Sequence, residues 1–156
     1  MTKLLQVGND IFEYPQQGTG EGHGEDATAW AEAVTESLAN FLGPNDILLT
    51  TANLANNVTS EQVIPGLSFN TGQVQHINVE FLIVRTFNLG ADTVVESGKV
   101  YGNYDGSDFR ISIESTGDST GVEIDVNASG QFVYTSSDLV DHQSSVISFK
   151  AATIDN

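Results

Sequence analysis

The groups best able to do chemistry in this chain are three histidines and 21 acidic residues. His23 lies between Glu21 and Glu25, so three metal-ligating side chains fall within five residues. Such a set suits a divalent cation, but the run is glycine-rich and nothing in it fixes a coordination geometry. His76 and His142 stand at no metal-ligand spacing and read as surface polar residues. Asp105-Gly106-Ser107-Asp108, with Asp118 further on, offers oxygens for Ca²⁺. Its spacing departs from the EF-hand loop. Asp and Gly are also the usual residues of a hairpin turn, and that reading is preferred. Paired carboxylates can hydrolyse glycosides, but among 21 acids the sequence does not say which of them meet. The chain lacks a Gly-x-Ser-x-Gly elbow, a Walker loop, a His-Glu-x-x-His motif and a dinucleotide fingerprint. The Gly18–Gly24 run precedes a helical pattern, a place where phosphate can bind. It contains no Lys and is followed by Glu25 and Asp26, so it would repel phosphate. There is no Cys, which excludes thiol catalysis and disulfides. The expectation is a protein that is not an enzyme, with no catalytic residue, no metal ligand and no cofactor.

Charge narrows the partners. The 21 acidic and 5 basic residues give a formal net charge of −16. Nucleic-acid binding needs Lys and Arg to neutralise phosphates, so it is not expected, and neither is an anionic membrane surface. Free copies repel one another, and a binding partner should offer a basic or apolar surface. The start, Met1 to Gly8, has one Lys and a short apolar pair, Leu4-Leu5, which is not the pattern of a signal peptide. No stretch reaches the length of a membrane span.

The elements that must position these groups change character along the chain. Its 156 residues fit one domain. Residues 1–24 read as a flexible N-terminal segment: a short strand around Gly8-Asn9-Asp10, then four glycines in the ten residues from Pro15. Residues 25–43 read as an amphipathic helix. Ala27, Trp30, Ala31, Val34, Leu38, Phe41 and Leu42 recur at spacings of three and four. Glu25 and Asp26 suit the positive end of the helix dipole, and Gly43-Pro44 ends the helix. Trp30, Val34, Leu38 and Phe41 are the candidate packing and assembly face. Residues 44–156 read as a β-sandwich domain, because the hydrophobic period becomes two and turn residues recur every ten or so positions. Within it, 52–63 reads as a polar loop. His76 to Phe87 reads as a central strand, apolar on both faces in its second half, and Ser97-Gly98 as a bulge or kink. Val122 to Val126 and Phe132 to Tyr134 read as a hairpin.

The order of several short blocks carries a resemblance. Phe12-Glu13-Tyr14-Pro15 opens it, followed by the glycine spacer. Gly24-Glu25-Asp26-Ala27-Thr28-Ala29-Trp30-Ala31-Glu32-Ala33-Val34-Thr35 and Gly43-Pro44-Asn45-Asp46-Ile47 come next. Asn56-Asn57, Gly66-Leu67-Ser68-Phe69 and Gly130-Gln131-Phe132-Val133-Tyr134-Thr135-Ser136 complete it. In succession they resemble small tailed-phage virion proteins. The resemblance implies a mainly β protein, an antiparallel β-sandwich or jelly roll with one N-terminal α-helix. It implies a non-enzymatic role as a head-decoration (cement) protein, or else as a tail, neck or fibre component. It brings no catalytic residues. The implied partners are other copies of the chain in a homotrimer and the major capsid protein or another virion protein, and the implied location is the virion, assembled in the host cytoplasm. A carbohydrate- or receptor-binding module is the reading from a different class.

Overall fold

A computed structural model describes residues 4–7, 10–13, 31–35 and 43–155. The chain divides into two units, Met1–Pro44 and Asn45–Asn156. In the first, β1 (Leu4–Val7) and β2 (Asp10–Glu13) pair as an antiparallel hairpin. Residues 31–35 are helical, with the Thr35 hydroxyl donating to the Ala31 carbonyl at 2.7 Å. Val34 is half-buried there, while Ala31 and Glu32 are exposed. Trp30, Leu38 and Phe41 lie outside the described residues, as do the glycine spacer and His23.

The second unit holds β3 (Ile47–Asn53), β4 (Val58–Ser68), β5 (Val74–Phe87), β6 (Asp92–Tyr104), β7 (Phe109–Gly117), β8 (Val122–Val126), β9 (Gln131–Ser136) and β10 (Ser144–Asp155). They form a five-stranded sheet in the order β3-β10-β5-β6-β7 and a three-stranded sheet in the order β4-β9-β8. All these pairings are antiparallel. The inward faces of both sheets merge in one core, with Ile77, Val79, Phe81, Ile83, Ile147 and Phe149 from one and Ile64, Leu67, Phe132 and Tyr134 from the other. Phe69 meets Phe132 edge to face at 5.9 Å. The fold is therefore an antiparallel β-sandwich. Each large apolar side chain buried in it contributes roughly 1.5–3 kcal/mol.

Strand β5 follows its period of two: alternate residues from Ile77 to Ile83 are buried, while Asn78, Glu80 and Leu82 face outward. It is the central strand of its sheet. However, Leu82 remains 40% exposed, so the outer face of this strand is open to solvent.

Two sequence expectations are corrected. Residues 52–63 are not a loop: Ala52 and Asn53 finish β3 and β4 begins at Val58. Strand β4 is an edge strand whose pairing with β9 shifts register twice, so its buried residues lose the period of two. Ser97-Gly98 makes no bulge, since β6 pairs with both neighbours without a register shift. Gly98 is required by close approach instead. An added Cβ would collide with the Glu114 carbonyl oxygen and lie 2.8 Å from the Phe81 ring.

Candidate functional site

The outer face of the five-stranded sheet gathers charged side chains that are far apart in sequence. Register places Lys150 opposite Glu80, Glu80 opposite Lys99, and Lys99 opposite Glu114. Strand alternation sends all four to the same side, as a row of alternating sign across β10, β5, β6 and β7. Glu80 receives Lys150 at 2.8 Å and Lys99 at 3.1 Å. These two ammonium groups, Lys150 first, hold the Glu80 carboxyl below the usual carboxylate range. The Lys99 ammonium is in turn pushed up, chiefly by its hydrogen bond to Glu80.

Beside this row runs a shallow groove of about 520 Å³, lined by Glu80, Phe81, Ser97, Gly98, Lys99 and Glu114 together with Ser115 and Thr116. Tyr101 and Asn78 face each other across the strands one step along the same face, and both are half-buried. The Asn78 Oδ1 is buried with no hydrogen-bond partner.

The groove contains the residue types of a two-carboxylate hydrolase, Glu80 and Glu114. A general acid in such a pair needs a raised pKa so that it still holds its proton near neutral pH. The flanking lysines move Glu80 the other way, which does not suit a proton donor, and they engage both of its carboxylate oxygens, Oε1 by Lys99 and Oε2 by Lys150.

No protein-family model matches the chain, and no curated protein matches it. Among solved structures, it is similar to the crystal structure of an Acinetobacter phage tailspike protein, with 18% identity and a TM-score of 0.38. That neighbour is a phage protein. The match covers 71% of this chain and 21% of the tailspike chain, so the chain spans about a fifth of the protein that it matches.

The other candidate groups are placed as follows. Asp105 sits in its turn: one oxygen accepts from the backbone N–H of Ser107 and of Asp108, each at 3.0 Å, and the other from Arg110 Nε at 3.0 Å. These donors, backbone first, lower its pKa. Its carboxylate oxygens are thus engaged by the hairpin itself. Asp118 accepts from the Val95 N–H at 3.0 Å. His76 pairs with Asn103 at 2.9 Å and His142 with Ser145 at 2.8 Å. Among the described residues no group of three or more His, Asp or Glu is placed to hold a metal ion. No helix among them is long and apolar enough to cross a membrane. Of the expected assembly face, only Val34 falls among the described residues.

Sequence reasoning missed Arg85. This residue is fully buried at the end of the inward row of β5. Its Nε donates to Ser145 Oγ at 2.9 Å, Nη1 to the Thr120 carbonyl at 2.6 Å, and Nη2 to the Ser137 carbonyl at 3.1 Å and to Asn56 Oδ1. Burial lowers its pKa, and the nearby Asp138 opposes that shift. The signal was its parity: Arg85 shares the odd-numbered face of Ile77, Val79, Phe81 and Ile83.

Proposed function

We propose that this protein is a non-enzymatic structural component of a tailed-phage particle, and within that class a head-decoration (cement) protein that binds the capsid and stabilises it. The observation that supports the non-catalytic part is that both carboxylate oxygens of Glu80 are held by lysines, Oε1 by Lys99 and Oε2 by Lys150, in the groove that offers two carboxylates. The particle assignment draws on the succession of sequence blocks and on the acidity that keeps free copies soluble until they meet a complementary shell. The partners are the major capsid protein and other copies of the chain, assembled as a homotrimer through Trp30, Val34, Leu38 and Phe41. Weak contacts then gain strength through many copies.

The test is co-sedimentation of the full chain with undecorated heads and, separately, with tails. Binding to heads, with a rise in their melting temperature, is the expected result. Binding to tails alone would move the assignment to a tail, neck or fibre component. A carbohydrate-binding module is favoured by one observation, the hydroxyl- and carboxylate-lined groove near Tyr101. A glycan that raises the melting temperature of the free protein, with no binding to either particle part, would replace the structural reading with that one.

A further inference from the structure

The outer face of the five-stranded sheet is the place where this acidic molecule is electrically balanced. The unit Asn45–Asn156 has four basic residues, Arg85, Lys99, Arg110 and Lys150, and Arg85 is buried. By strand alternation the other three all lie on this face. Lys99 and Lys150 are paired with Glu80, and Arg110 with Asp105. The face also presents Leu82, Val95 and Ile154, which are 40%, 38% and 62% exposed, and half-buried Val84, Val146 and Tyr101.

The order of charges has a symmetry property. Across the sheet the row reads Lys150, Glu80, Lys99, Glu114, so it alternates in sign and has an even number of members. If a second copy lies face to face, related by a two-fold axis parallel to the strands and between β5 and β6, its row runs in reverse. Lys150 then meets the partner's Glu114, and Glu80 meets the partner's Lys99, at all four positions of the row. The same operation sets Val84 against Val95 of the partner subunit. It also sets Asn78 against Tyr101 of the partner subunit. An isologous contact of this kind uses one patch twice and closes on itself.

We infer that the outer face of the five-stranded sheet is a two-fold self-association surface, on which a second copy of this chain docks through the Lys150–Glu80–Lys99–Glu114 row. The inference rests on reading the protein as an assembling module. It is separate from any contact made by the N-terminal unit, because a two-fold contact doubles whatever assembly the rest of the chain makes.

The test compares the solution mass of the full chain by light scattering in four forms: wild type, Lys150→Glu, Glu114→Lys, and the double variant. Circular dichroism establishes that each retains its sheet. The two residues lie on strands three steps apart, roughly 14 Å, so they do not pair within one copy. Within one copy the double variant still sets a glutamate beside Glu80, so any recovery can come only from pairing between copies. The expected result is that each single reversal halves the mass, or raises the concentration needed for association at least tenfold, and that the double reversal restores it. An unchanged mass in both single variants, or no recovery in the double variant, overturns the inference. Head binding measured on the same samples separates the two readings: if it persists while the masses stay equal, only the two-fold contact is lost.

Discussion

Arg85 and the lysine pair around Glu80 place the same kind of charge in opposite surroundings. Arg85 is fully buried and is held by neutral acceptors: two carbonyls, an amide oxygen and two serine hydroxyls. Lys99 and Lys150 are about half-exposed and share one carboxylate. The difference teaches what burial does to a cation. In the interior a planar guanidinium that stays charged can satisfy several acceptors at once, and removing it leaves each of them unpaired. At the surface water replaces a lost partner, and the ion pair sets register and recognition more than stability. Arg85 also draws together segments that the strands alone do not join, Asn56 after β3, Thr120 after β7 and Ser137 after β9.

The sharpest way to break this comparison is Arg85→Met, which keeps much of the volume and removes every donor. The stability of the sandwich should fall by about 3–5 kcal/mol, as several acceptors are orphaned together. A denaturation midpoint that stays near wild type would mean that water serves those acceptors. Next in size is Gly98→Val, which changes no charge but drives a side chain into the Glu114 carbonyl and the Phe81 ring. A loss of about 2–3 kcal/mol is expected, read as a lower melting temperature, together with disturbance of the β6–β7 pairing beneath the charged row. An unchanged melting temperature would show that these strands separate easily there.

Glu80→Gln should have a smaller effect. It leaves both lysines without their carboxylate, so the melting temperature should fall slightly at low salt and match wild type at high salt. Equal differences at both salt levels would mean that packing is what Glu80 supplies. The smallest effect is in pH. Glu80 and Asp105 both have carboxyl pKa values lowered by folding. Their contribution is present above the ordinary carboxylate range and is lost as pH falls through the lowered values, so the loss should set in below about pH 4. In an acid titration Glu80→Gln should flatten part of that slope, and Arg85→Met should leave the slope unchanged.

The sequence made much of the fold legible because period-two segments and turn residues are local signals. Strand β5 and the β8–β9 hairpin appear where their alternation places them, and Asp105 occupies the turn that its residue type suggests. Strand β4 was hidden because an edge strand with two register shifts shows no steady period. The exposed Leu82 was hidden because an apolar residue in a central strand gives no hint that its face is uncovered. The candidate site was not legible. Lys150, Glu80, Lys99 and Glu114 become neighbours only once β10, β5, β6 and β7 are ordered and aligned, and a single sequence carries no such pairing signal. Arg85 could have been read from its parity.

The position of β10 has a consequence for how the molecule forms. This strand follows the other described strands in sequence but lies between β3 and β5, so it must insert between two strands made earlier. The Thr51 and Ser148 hydroxyls that meet across β3 and β10 are 97 positions apart in sequence. Contacts of such separation slow folding, because loop-closure entropy is lost before pairing returns anything. The five-stranded sheet therefore cannot close on the ribosome while residues 144–155 are still in the exit tunnel. Until they emerge, the facing edges of β3 and β5 stand open, and the order of synthesis makes that interval the one in which the chain is most exposed to mispairing with another copy.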